Sequence, residues 1–303
     1  MNDLERRLIE AVCENKLIDA KKIAKVILEQ DNTQKNRHFV IRNLNMLNNS
    51  TMNFMELPAD LMHILVMEDV SISFNERRYF LSAREEELAD KLIRTDHAAR
   101  RLQEMGIRYV NSTLLYGESG TGKTTFGRYL AYKMGLPFAY LNFSHAIDSY
   151  LGGTQKNISR AFDFVKERKC VFMLDELDAI GMSRDKKANE VGEMSRVVIS
   201  LMQNLDSLHN DVILLGATNR PDILDPALAR RFNFHHEVRR LTKQERCEMA
   251  SRFLIDVGYP YAQDWLIELC EPDRTQSDLM GRMIDALVDH LSVAPSESQE
   301  VTN

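Results

Sequence analysis

Three stretches of this 303-residue chain carry side chains whose types and spacing suit phosphate chemistry. The first, GESGTGKTT, runs Gly117, Glu118, Ser119, Gly120, Thr121, Gly122, Lys123, Thr124, Thr125. A glycine, four residues, then Gly-Lys-Thr is the phosphate-binding loop pattern. Glycines let successive backbone N–H groups curl around phosphate oxygens, and a helix opening there turns its positive end towards them. Lys123 is placed to neutralise the β- and γ-phosphates of a nucleotide, and Thr124 to offer a hydroxyl to Mg2+. The second stretch is VFMLDELDAIG. Four apolar residues read as a buried strand with Asp175 and Glu176 at its carboxyl end, where open parallel sheets bind ligands. Asp175 suits a magnesium shell, and Glu176 suits a general base that polarises water. The third, VILLGATNRPD, is another apolar strand, with Asn219 at its tip. That asparagine could reach the same water or the γ-phosphate, although Asn-Arg-Pro-Asp is also a plain turn composition.

Elements must bring these stretches together. TLLYG, FAYLNF, CVFMLDE, VILLGAT and FHHEV read as strands. Helices are expected over 123–134, 155–166 and 191–205, between the strands. Apolar runs without alternation indicate strands buried on both faces, and strand–helix repetition indicates a helix-covered parallel sheet. The expected class is α/β, a parallel sheet carrying a phosphate-binding loop, with a helical unit after it and a short N-terminal helical segment. Helical spacing over 3–30, broken at CENKL, predicts a short hairpin, followed by an asparagine-rich linker to residue 56. Residues 57–240 are assigned to the core, including a helix over 83–106 that ends at Gly106. Residues 241–292 read as helical and 293–303 as a frayed tail.

Hydrophobic residues make up 44% and charged residues 28%, the balance of a folded cytosolic protein. A net charge of -6 argues against a large non-specific nucleic-acid surface. The four cysteines form no CxxC pair, so neither a zinc site nor a disulfide framework is indicated, and reduced thiols are expected. No apolar run approaches a membrane span, and the amino terminus has no signal-peptide core. A cytoplasmic location is the expectation.

Over residues 77–292 the chain resembles the AAA+ ATPases, specifically the AAA proper group. GESGTGKTT, VFMLDELDAIG and, most specifically, ATNRPDILDPALARRF carry the resemblance. It implies a P-loop (ASCE) parallel-sheet ATPase core with residues 241–292 as a small helical lid domain, and ATP and Mg2+ as the bound pair. It implies that Asn219 aligns the hydrolytic water with Glu176. It implies that Arg230 and Arg231 are arginine fingers acting in trans on the γ-phosphate of a neighbouring subunit. In this group an aromatic–hydrophobic–glycine triplet after the second strand forms a substrate-gripping pore loop, and Tyr150-Leu151-Gly152 resembles it. Six such loops in a ring would line a channel, where an aromatic ring grips an extended polypeptide without reading its sequence. Lys186, Lys187, Asn189 and Glu190 occupy the place of a second loop, though a solvated charge run explains them as well. Three departures stand out. Glu118 replaces the usual proline. ALARRF lacks the spacer between the arginines, which leaves open which is the main finger. TQSDL stands in place of a Gly-Ala-Asp segment, with Thr275 or Ser277 still able to cap the following helix.

The leading expectation is a homo-oligomeric ring, a hexamer, that remodels, unfolds or translocates a protein through its pore. The partners would be a protein substrate or adaptor, and a separate protease, because the chain has neither an HExxH nor a GxSxG motif. Two other readings are a DNA-transaction ATPase of the same superfamily (a loader or transposition regulator) and a nucleotide-switched scaffold. The acidic balance and the aromatic triplet argue against the first. Glu176, Asn219 and the two arginines argue against the second.

Overall fold

A computed structural model describes residues 3–13, 17–31, 33, 36–37, 40, 57–58, 61–148, 154–166, 168–181 and 188–293. Six strands form one sheet: β1 (Leu65–Glu68), β2 (Asn111–Tyr116), β3 (Phe138–Asn142), β4 (Cys170–Asp175), β5 (Val212–Thr218) and β6 (Phe234–Glu237). Their spatial order is β1-β3-β4-β5-β2-β6, with β1 antiparallel to β3 and every other pairing parallel. The five strands expected from sequence are all present. The sixth, β1, lies in a region for which the sequence suggested no element.

The helices, in chain order, are α1 (Asp3–Cys13), α2 (Leu17–Gln30), α3 (Val70–Ser73), α4 (Ala83–Glu104), α5 (Lys123–Met134), α6 (Phe143–Asp148), α7 (Thr154–Val165), α8 (Asp178–Gly181), α9 (Ala188–Ser207), α10 (Pro226–Ala229), α11 (Lys243–Asp256), α12 (Gln263–Cys270) and α13 (Gln276–Val293). α1 and α2 pack on each other. Most of the asparagine-rich linker and the tail beyond residue 293 lie outside the described residues.

The sheet is buried on both faces, and β4 shows why its sequence is apolar throughout. Cys170, Phe172 and Leu174 enter one core with Phe162 of α7 and Leu201 of α9. Val171 and Met173 enter the other with Leu92 of α4 and Phe126 and Leu130 of α5. Side chains alternate along a strand, so only an unbroken apolar run can feed two cores. Each fully buried large side chain contributes about 1.5–3 kcal/mol over leaving it in water.

A third cluster, around Phe253, Leu254, Leu266, Cys270, Leu279 and Met283, joins α11 to α13, and Phe80 packs against it from the segment before α4. Thr242 and Glu245 start α11 with a reciprocal capping box. Among the described residues no helix is long and apolar enough to cross a membrane.

Gly216, in the middle of β5, is forced by packing. A Cβ there would fall 2.6 Å from Cζ of Phe232 and 2.9 Å from Cδ1 of Leu177. Gly216→Ala is expected to cost about 1–3 kcal/mol as Phe232 is pushed from its seat. Chemical denaturation would show this as a lower midpoint at unchanged slope.

Candidate active site

β2 ends at Tyr116 and α5 begins at Lys123, so the glycine loop joins a strand to a helix as the pattern requires. Gly117 adopts φ 146°, and a Cβ on it would lie 2.2 Å from the carbonyl oxygen of Val238. No other residue fits there. α5 carries no side-chain cap at its amino end. Its first N–H groups therefore remain available to an anion, in line with the positive end of the helix.

Lys123 is buried, and its three ammonium protons have three acceptors. Nζ donates to the carbonyl oxygens of Gly117 (2.8 Å) and Glu118 (2.7 Å) and to Oδ1 of Asn219 (2.8 Å). Burial pulls this lysine below the ordinary lysine range, while Asp175, Asp178 and Glu118 pull it back up. An arriving phosphate acts in the same sense as those carboxylates and favours the ammonium.

Oγ1 of Thr124 donates to Oδ2 of Asp175 at 2.7 Å, and the backbone N–H of Glu176 donates to Oδ1 at 2.9 Å. Glu176 has φ 57°, the one positive value among the described non-glycine residues. A left-handed backbone there costs about 1–2 kcal/mol. It is held by the Asp175 bond on one side and by Leu177 N–H donating to Ala217 O (3.0 Å) on the other. Strain retained by its surroundings is common where a side chain must be aimed.

β5 lies between β2 and β4, so its tip sits between the glycine loop and the two acids. That order brings Asn219 to Lys123. Sequence reasoning missed Asp178, whose Oδ1 accepts from Thr218 Oγ1 (2.9 Å) and from Asn219 N–H (3.1 Å), fixing the tip. Spacing does not mark it, because Asp175 ends a strand and Asp178 opens a separate helix. Also missed was Tyr140 of β3, whose hydroxyl lies 3.2 Å from Oδ2 of Asp175.

Arg230 and Arg231 are elsewhere. They precede β6 at the opposite end of the sheet. The carbonyl of Arg231 accepts from Oγ of Ser112, five residues before Gly117. That separation is about 16 Å along a strand, beyond what an arginine side chain spans. Arg231 is tethered, donating to Ala227 O (2.9 Å) and Asp206 Oδ2 (3.3 Å). Arg230 is exposed, and no described residue holds its guanidinium. Tyr150, Leu151, Gly152, Lys186 and Lys187 lie outside the described residues, as do the side chains of Asn189 and Glu190.

A hydroxyl and a carboxylate in contact form a hard-oxygen set suited to Mg2+. The uncapped α5 terminus with Lys123 suits a phosphate chain. Residues 113–240 match the family described as ATPase family associated with various cellular activities (AAA).

That similarity spans the stretch holding the glycine loop, both acids, Asn219 and the arginine pair. Peroxisomal ATPase PEX6 of Mus musculus is 32% identical over 197 residues, covering 62% of this chain and 20% of that protein. The protein of the same name from Dictyostelium discoideum is 40% identical over 128 residues, 41% of this chain and 11% of that one. Uncharacterized AAA family ATPase y4kL of Sinorhizobium fredii is 32% identical over 167 residues, 55% of this chain and 50% of that one. The chain thus spans half the length of y4kL and about a fifth of mouse PEX6.

The helical unit that follows the AAA domain rests on the glycine loop. Ser277 N–H donates to Gly120 O at 3.0 Å, and Thr275 Oγ1 accepts from Asp278 N–H at 3.2 Å, capping α13. Glu118, the departure from the usual proline, accepts from Arg240 Nε at 2.5 Å. Arg240 also donates to Asp273 Oδ2 (3.2 Å), and the opposite oxygen of Asp273 accepts from the buried Arg246 (3.0 Å). The pairs at Glu118 and Arg240 are solvent-exposed and screened by water, so they add little to stability. Their effect is to hold the Glu118 carboxylate towards Arg240.

Proposed function

We propose that this chain couples Mg2+-dependent ATP hydrolysis to the remodelling, unfolding or translocation of a protein substrate, as a homo-oligomeric ring, a hexamer, acting in the cytoplasm. The observation that carries the reading is the convergence of Lys123, Thr124, Asp175, Glu176 and Asn219 at the carboxyl ends of three adjacent strands.

In this reading, the loop from Gly117 to Thr125 wraps the phosphates and Lys123 balances their charge. Thr124 and Asp175 hold Mg2+, which when bound neutralises charge on the phosphate oxygens. Glu176 takes a proton from the attacking water, and Asn219 orients that water. Because the arginine turn cannot reach its own glycine loop, Arg230 and Arg231 serve a neighbouring copy. There a guanidinium stabilises the charge of the transferring phosphoryl group. Tyr150-Leu151-Gly152 is the loop that grips substrate, and residues 3–30 recruit a substrate, adaptor or protease. Residues 241–292 move as a lid.

Two experiments test this. Glu176→Gln purified with ATP is expected to retain bound polypeptide, identified by mass spectrometry. Nucleic acid without polypeptide would instead establish the DNA-transaction reading. Tyr150→Ala is expected to keep basal ATP hydrolysis and lose substrate processing, and unchanged processing would remove the pore-loop assignment.

A further inference from the structure

β3 and β4 run side by side, and their register pairs Asn142 with Asp175. Partners in neighbouring strands share a face, and so do residues two apart. Tyr140, Asn142 and Asp175 therefore lie on one face of the sheet. It is the α5 face, because Met173 and Phe138 both enter the core packed by α5.

The contacts follow from that placement. Tyr140 donates its hydroxyl proton to Oδ2 of Asp175 at 3.2 Å. Nδ2 of Asn142 donates to the phenol oxygen at 3.2 Å. Oδ1 of Asn142 accepts the backbone N–H of His145 at 3.2 Å, within the first turn of α6. Every donor and acceptor in this series is used in a consistent sense. A phenol is protonated at neutral pH, so Tyr140 is the donor and the carboxylate the acceptor.

We propose that Tyr140 is a positioning residue of the nucleotide site, orienting the Asp175 carboxylate for its metal and tying it through Asn142 to the start of α6. The inference rests on the reading of Thr124 and Asp175 as the Mg2+ residues. The other two donors to Asp175, Thr124 and the Glu176 N–H, come from the glycine-loop helix and from the acid's own backbone. Tyr140 adds a support from a third element, which fixes the carboxylate plane. Outer groups that orient a ligating carboxylate govern metal affinity as much as orientation. The same series gives α6 a direct bond path to the metal site.

The test is Tyr140→Phe, which removes the hydroxyl and keeps the ring beside Phe138, 6.2 Å between centroids. Binding of a fluorescent ATP analogue is measured with Mg2+ and with EDTA, and hydrogen exchange of residues 143–148 is followed in both conditions. The expected result is unchanged metal-free affinity with the gain from Mg2+ reduced about tenfold. Mg2+-nucleotide should also protect the His145 amide in the unmodified chain and not in the variant. An equal Mg2+ gain in both chains would overturn the proposal. So would an equal loss with and without metal, which marks a packing role. If the unmodified chain itself shows no Mg2+ gain, the Thr124–Asp175 assignment fails and this inference fails with it. A gain present in the unmodified chain and kept in the variant refutes Tyr140 alone.

Discussion

Arg230→Ala is expected to lower ATP hydrolysis by about 10³-fold or more, the scale of a lost arginine finger, with nucleotide affinity almost unchanged. The argument is geometric. The turn bearing Arg230 is fixed from several sides. Ser112 donates to the Arg231 carbonyl and accepts the N–H of Asn233 (3.0 Å), and Phe232 is buried beneath it. The turn is rigid, its arginine is exposed, and its own phosphate loop is out of reach. Mixing this variant with Glu176→Gln chains should restore part of the activity, because the second chain supplies the missing arginine to an intact site in the first. No recovery in the mixture would mean that Arg230 acts within its own chain or not at all. Arg231→Ala should be milder and should be reproduced by Asp206→Ala, since Arg231 spends its guanidinium on Asp206 and Ala227. A silent Asp206→Ala beside a severe Arg231→Ala would make Arg231 the reaching group.

Glu176→Gln is expected to reduce hydrolysis by about 10²–10⁴-fold, the usual contribution of a general base, and to leave ATP bound. What makes this substitution clean is that the left-handed backbone at 176 is held by main-chain bonds, to the Asp175 carboxylate and through Leu177 to Ala217. The amide side chain inherits the same aim. Single-turnover measurement separates the chemical step from binding. Hydrolysis within a few fold of the unmodified chain would point to a different base or to a nucleotide-switched scaffold.

Much of the architecture was legible in the residues because each element obeys one rule. Lys123–Met134 is bounded by two glycines and falls where expected. β3, β4 and β5 are apolar runs that turn polar only at their carboxyl ends. β1 was not legible. Its four residues, LVME, are too few to show a period, and it pairs antiparallel at the sheet edge, outside the parallel strand–helix rhythm. α9 runs Ala188–Ser207 where 191–205 was expected, because its first turn carries polar residues that hide the apolar stripe.

The glycine loop, both acids and Asn219 could be found by spacing. Tyr140 and Asp178 could not be found that way with the same ease. Their roles depend on which strand lies beside which, and β5 stands between the loop strand and the acid strand only after folding. The separation of the two arginines from the phosphate loop is also a property of register, Thr113 opposite Phe234, and not of sequence distance.

The glycine in the middle of β5 has a further meaning. Leu177 follows Glu176, the acid proposed to activate water beside this chain's own ATP. Phe232 follows the arginine pair proposed to reach a neighbouring chain. Both side chains press on the bare α-carbon of Gly216. One hydrogen atom is thus the shared wall between the segment bearing Glu176 and the turn bearing Arg230, and added volume there would disturb both at once.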